Sequence, residues 1–161
     1  FDNNPYMGVG TIEPLIPWMK KGRGIYMVWI SSSPGGDIVQ SLASEAIFDE
    51  AVKVIEENEV GNSFGLVVGA TKVEGMSQRL FDKSKSFSML MPGIGAQGGK
   101  IENRITELVA SKNSTLIPVS RGLAGVGAAD QSKTLSELTG WPAYEKYLQL
   151  RLAELLANLK V

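Results

Sequence analysis

The most glycine-rich stretch of the chain is PGIGAQGG, residues 92–99, with four glycines in eight residues. Gly93, Gly95 and Gly98 fit the pattern G-x-G-x-x-G, which in dinucleotide-binding folds lets the backbone approach a pyrophosphate. Each glycine raises the entropy cost of ordering a loop, and four are more than a tight turn needs. The stretch therefore indicates either a dinucleotide fingerprint or a phosphate-binding loop of another fold.

The position of the loop argues against a dinucleotide fingerprint. That fingerprint follows the first strand of its domain and expects an acidic residue about 20 positions later, at the end of the next strand. Here the loop follows the third full strand, and the next strand ends in Ser120 and Arg121. A P-loop is also disfavoured, because Gly99-Lys100 is followed by Ile101 instead of Ser or Thr. Two interpretations remain open. The stretch is either a simple turn or a phosphate-binding loop, which would be assisted by the helix that starts near Ile101 and by the guanidinium of Arg121.

Two residue types that carry much enzyme chemistry are absent, since the 161 residues include no Cys and no His. This excludes disulfides, thiolate nucleophiles, a Ser-His-Asp triad and histidine zinc sites, and it permits a reducing cytoplasm. The 16 basic and 17 acidic residues give a net charge of −1, so no global field attracts nucleic acid or an anionic membrane. We therefore expect neither a nucleic acid nor a membrane as a partner. We also expect the protein to be cytoplasmic.

Apolar periodicity predicts the elements that position these loops. Four short apolar runs are typical of parallel strands covered on both faces, at 25–30, 65–69, 87–91 and 115–120. Helical spacing predicts helices at 11–22 with Thr11 as N-cap, at 44–58 with Ser44 as N-cap, at about 72–83, at about 101–111 and at about 142–160. The repeats require right-handed crossovers and a parallel sheet, either doubly wound or part of a (β/α)8 barrel.

The residues of these loops resemble the orotidine-5′-phosphate decarboxylase family. The resemblance is carried by NNPYMG (3–8), SSSPGG (31–36), GLVVGATKVEGM (65–76), LMPGIGAQGG (90–99) and LIPVSRGLAG (116–125). It covers nearly the whole chain in order and spacing. It implies an α/β (β/α)8 TIM barrel that converts orotidine monophosphate to UMP, a lyase step of pyrimidine biosynthesis, with no metal and no cofactor.

The resemblance also implies that part of the barrel is missing. The family's D-x-K-x-x-D motif on the third strand supplies an alternating Lys/Asp array, and the D-x-K-like stretch here, 82–85, lacks the second Asp. The N-P-Y turn resembles the end of strand four. We therefore expect a single domain over 1–161, the C-terminal half of the barrel with strands five to eight, without catalytic residues and inactive alone.

The substrate-binding residues that the resemblance implies lie in three loops. Ser32 matches the serine that hydrogen-bonds the pyrimidine, Gln97 the residue that bridges pyrimidine and phosphate, and Arg121 the phosphate-binding arginine. Pro92, Gly93 and Gly122 frame the same pocket. Ser33 departs from the family, which more often has Asn or His there, so we expect the rim of the base site to differ.

Two alternatives remain open at this point. A four-strand part of a barrel leaves open parallel edges, which favours a homodimer or a domain-swapped oligomer that binds phosphate without catalysis. Alternatively, the chain belongs to a related barrel enzyme that acts on a sugar phosphate. In each case the expected partner is a small phosphorylated molecule, orotidine monophosphate or UMP in the leading interpretation.

Overall fold

The computed structural model describes residues 2–95, 97–111, 114–120 and 140–158, and the fold and contacts that follow are those of these residues. Its strands are β1 (Asp2–Asn3), β2 (Ile25–Ile30), β3 (Phe64–Val68), β4 (Ser88–Leu90) and β5 (Thr115–Leu116). Its α-helices are α1 (Ile16–Met19), α2 (Asp37–Glu57), α3 (Gln78–Ser84), α4 (Asn103–Val109) and α5 (Trp141–Asn158). None of the helices in these ranges is long and apolar enough to cross a membrane.

The strands lie side by side in the order in which they follow along the chain. The sheet runs β1-β2-β3-β4-β5, and all four neighbouring pairs are parallel. A doubly wound sheet reverses its strand order at a switch point, and no reversal occurs among the described strands. Successive strands of a barrel have the observed order, so the structure favours the barrel of the two predicted architectures.

Aromatic contacts fix α2 against the sheet. The ring of Trp29 in β2 stacks on Phe48 of α2 with 4.4 Å between ring centroids. The Trp29 indole N–H donates to the carbonyl of Ser44 at 2.8 Å. Phe48 meets Phe87 edge-on at 6.2 Å, which continues the core towards β4. These contacts hold α2 against the sheet and so fix both ends of the loop that connects β2 to α2.

The Asn-Pro-Tyr turn after β1 is tied to the carboxyl end of β2. The Tyr6 hydroxyl donates to the carbonyl of Trp29 at 2.7 Å, and the Asn4 side chain accepts from the Tyr6 amide at 3.1 Å. Burial raises the pKa of Tyr6 above its usual 10.0, so the phenol keeps the proton that it donates. Beside this contact, the pairing of β2 with β3 shifts register between Val28 and Ile30.

The four predicted strands are present, although β4 and β5 are shorter than predicted, and the N-cap predicted at Thr11 is wrong. Thr11 ends a 3-10 turn, and its hydroxyl donates to the carbonyl of Gly8 at 2.9 Å. The predicted helix over 11–22 is broken into 3-10 turns and the four residues of α1. Pro14 and Pro17 explain this, because each lacks the N–H that an α-helix interior needs.

The N-cap predicted at Ser44 is also wrong, because α2 begins at Asp37 and Ser44 lies inside it. Asp37 stands in the first turn, where a carboxylate is favourable beside the helix N-terminus. Ile38 and Leu42 in the first turns are exposed, so they disturb the apolar pattern from which the helix was predicted. The two missed turns place α2 directly against the loop after β2.

Candidate functional site

The loops that follow β2 and β4 meet beyond the carboxyl edge of the sheet. Ser32 Oγ, after β2, donates to Gln97 Oε1, after β4, at 2.7 Å. A Cβ added to Gly93 would lie 3.0 Å from Gln97 Oε1 and 3.6 Å from Ser32 Oγ. Parallel strands end at the same edge of their sheet, which brings together residues 65 positions apart in sequence. Three of the predicted site residues therefore share one place.

The loop after β3 lies between these two loops and holds them through its backbone. The Gly69 amide donates to the carbonyl of Ile30 at 2.6 Å, and the Ala70 amide donates to the carbonyl of Pro92 at 2.8 Å. A Cβ added to Gly69 would lie only 2.5 Å from the Ser32 nitrogen. Pro92 thus connects the loop after β4 to the loop after β3. The missing side chain of Gly69 provides the space that the backbone of Ser32 occupies.

The glycines of residues 92–99 fold their loop onto itself. Gly93, Gly95 and Gly98 have φ angles of 106°, 78° and 88°, in the region that favours glycine. The amide of Gly95 donates to the carbonyl of Gly99 at 2.9 Å, and the amide of Gly99 donates to the carbonyl of Gly93 at 3.0 Å. Because these amides bind loop carbonyls, the glycines shape the loop, and the side chain of Gln97 is what the loop presents.

The helix predicted to start at Ile101 begins instead at Asn103. In its first turn, the amide of Arg104 donates to Glu74 Oε1 at 3.1 Å, so one of the free amides of this helix end already has a carboxylate partner. That this helix N-terminus adds its dipole to a phosphate site stays a prediction.

The remaining predicted residues follow β5. The amide of Met91 donates to the carbonyl of Leu116 at 2.8 Å, so the chain of β5 runs beside the end of β4. Ser120 is the last described residue of this segment. Arg121 and Gly122 lie outside the described residues, and their phosphate contacts stay predictions.

The D-x-K-like stretch at 82–85 lies on the helices and not at the strand ends. Lys83 Nζ is 3.2 Å from Asp49 Oδ1 of α2, and Lys85 pairs with Asp82 at 3.0 Å and with Glu107 of α4. Hydrogen bonding to Glu107, and then to Asp82, raises the pKa of Lys85, and Arg79 lowers the pKa of Asp49. These charges join α2, α3 and α4. Within the described ranges no group of three or more acidic side chains is placed to hold a metal.

The structure also contains a cleft of about 400 Å³ that the sequence does not predict. It lies between the first turns of α2 and residues 70–77, and its walls include Gln40, Lys72 and Ser77. Lys72 Nζ is 2.7 Å from Asp37 Oδ2. The cleft follows from the early start of α2, for which the sequence carries no apolar signal.

Comparison with known proteins relates this arrangement to one family. The protein-family model described as "Orotidine 5′-phosphate decarboxylase / HUMPS family" matches residues 2–137. The chain belongs to this family. The orotidine 5′-phosphate decarboxylase of Aromatoleum aromaticum is 34% identical over 131 residues, covering 78% of this chain and 47% of that protein. The Clostridium kluyveri enzyme is 33% identical over 132 residues, covering 74% and 44%.

Solved structures of the family share the fold. Leishmania donovani UMP synthase matches with a TM-score of 0.61 and 29% identity, over 94% of this chain and 33% of that chain. Plasmodium berghei orotidine 5′-monophosphate decarboxylase matches with a TM-score of 0.63 and 17% identity, over 99% and 49%. The chain spans less than half the length of the Aromatoleum and Clostridium enzymes. The order of its described strands is the order expected for a barrel of this family.

We predict that Gly69→Ala destabilises the protein and displaces Ser32, because the new Cβ would lie 2.5 Å from a backbone nitrogen. Overpacking of this kind costs about 1–3 kcal/mol. Gly75→Ala is the matched control, since a Cβ there meets nothing within 4 Å. Chemical denaturation measures both variants. Equal free energies of unfolding for Gly69→Ala and the wild type would contradict the close approach.

Proposed function

We propose that this chain is the part of an orotidine 5′-phosphate decarboxylase that binds the pyrimidine and the phosphate. The 2.7 Å hydrogen bond between Ser32 Oγ and Gln97 Oε1 carries the proposal. It joins the two side chains for which the family resemblance implies contact with the nucleotide. Membership of the family and the barrel order of the strands support the same function.

The two side chains match the polar edge of a pyrimidine. The ring of UMP offers carbonyl acceptors and one N–H donor, and a serine hydroxyl both donates and accepts. The Gln97 amide has an acceptor oxygen and two N–H donors, so it can serve the ring and a phosphate oxygen together. The Ser32 hydroxyl donates to the Gln97 oxygen, and we expect a bound pyrimidine to replace that bond with bonds to its own edge.

The proposed role is binding, and the chemistry requires groups from elsewhere in the barrel. Decarboxylation breaks the bond between the ring carbon and the carboxylate, and a lysine of the family's array then protonates that carbon. The only D-x-K-like stretch of this chain, 82–85, pairs its lysines with carboxylates of the neighbouring helices α2 and α4. We infer that the chain binds the nucleotide through Ser32, Gln97 and Arg121 and does not decarboxylate it alone. Phosphate binding away from the reacting carbon is a source of energy for the complete site.

We predict that Ser32→Ala weakens UMP binding about fivefold, the loss typical of one hydrogen bond, and leaves ribose 5-phosphate binding unchanged. Ribose 5-phosphate lacks the ring that Ser32 is proposed to contact. Isothermal titration calorimetry measures both ligands. Ser41→Ala, at an exposed serine of α2, is the control. Equal weakening of both ligands would contradict the role of Ser32, and a wild-type preference for ribose 5-phosphate would favour the sugar-phosphate enzyme.

A second candidate is a self-assembling module that binds phosphate without catalysis. Among the described strands, β1 and β5 each pair on one side only, and Leu116 of β5 is 51% exposed. Unpaired parallel edges favour association with another copy. Light scattering of the chain at micromolar concentration should therefore show a dimer or a larger assembly. A well-folded monomer under these conditions would contradict this candidate and leave the binding role untouched.

A further inference from the structure

We propose that Gln40 is the positioning residue that holds Ser32 in place for the pyrimidine. The residue lies in the first turn of α2, outside the three loops that carry the predicted site. The inference rests on the nucleotide binding proposed above and adds to it a determinant of affinity for the base.

The side chain of Gln40 is buried against the loop that leaves β2. Gln40 is 9% exposed, although α2 is otherwise open to solvent at this end, where Ile38 is 75% exposed. Its Oε1 accepts from the amide of Ser31 at 3.1 Å. Glutamine is mostly exposed in proteins, and a buried amide is kept only where it is hydrogen-bonded. The amide therefore fixes the residue directly before Ser32.

The far end of the same loop also closes on Gln40. A Cβ added to Gly36 would lie 2.7 Å from Gln40 Nε2 and 3.2 Å from the carbonyl oxygen of Ser33. The Gly36 amide donates to that Ser33 carbonyl at 3.1 Å. The loop thus wraps around the glutamine amide, which contacts it both before and after Ser32.

Ser32 is consequently held by groups on three sides. Gln40 fixes its neighbour Ser31, Gly69 packs against the Ser32 backbone nitrogen, and Gln97 Oε1 accepts a hydrogen bond from the Ser32 hydroxyl. Loss of the Gln40 acceptor leaves the Ser31 N–H without its partner and frees the loop to move. The loop that carries Gln97 is separate, so we expect that loop to keep its conformation when the Gln40 acceptor is lost. The expected defect is therefore a loss of affinity for the base and not for the phosphate.

The test compares two substitutions of Gln40 in the full chain. Gln40→Met keeps the length of the side chain and removes the acceptor, and Gln40→Glu keeps an oxygen that can accept from Ser31. We expect Gln40→Met to weaken UMP binding about fivefold and to leave ribose 5-phosphate binding unchanged, with Gln40→Glu close to the wild type. The Ser31 amide should exchange its hydrogen faster in Gln40→Met. Gln149→Met, at an exposed glutamine of α5, is the control.

Each outcome decides a separate question. If the wild type does not bind UMP, the proposed function fails. If the wild type binds UMP and Gln40→Met binds it equally well while the Ser31 amide exchanges faster, Gln40 is merely structural and the inference is overturned. Should Gln40→Met not fold, Gly36→Ala crowds the same amide from the loop side. An unchanged ratio of UMP to ribose 5-phosphate affinity in that variant also overturns the inference.

Discussion

At the carboxyl ends of β2, β3 and β4, three backbone segments lie too close together for a side chain between them. A Cβ on Gly69, after β3, would meet the Ser32 nitrogen, after β2, at 2.5 Å, and a Cβ on Gly99, after β4, would meet the Cβ of Ala70, after β3, at 2.9 Å. Interiors packed this tightly transmit any displacement to their neighbours. The places of Ser32 and Gln97 therefore depend on these approaches, and the approaches depend on parallel strands ending at one edge.

This constraint gives the glycines a structural purpose different from the one their spacing suggests. The amides of Gly95, Gly98 and Gly99 donate to carbonyls of the same loop, so these glycines turn the chain. The loop presents Gln97, and the loop before α2 presents Ser32. We propose that both side chains are held in position before a ligand arrives, which would lower the ordering cost of binding.

The sequence predicts the strands well because each is a short apolar run, and it predicts the meeting of Ser32 with Gln97 only through the family resemblance. Local patterns fail where tertiary contacts decide. The start of α2 was missed because Ile38 and Leu42 are exposed, and the helix at Ile101 starts late where Glu74, about thirty residues earlier, binds its first turn. Gln40 was missed because a glutamine in a helix carries no signal of burial. Arg121 and Gly122, outside the described residues, remain predictions.

The most direct measurement is an NMR titration of the full chain, labelled with ¹⁵N, with orotidine monophosphate. The same sample reports where the nucleotide binds and whether it is converted. The account predicts shifts of the Ser32, Gly93 and Gln97 amides, with orotidine monophosphate remaining intact. Formation of UMP would contradict the inferred lack of catalysis, and shifts confined to the cleft beside Lys72, or none, would contradict the proposed site.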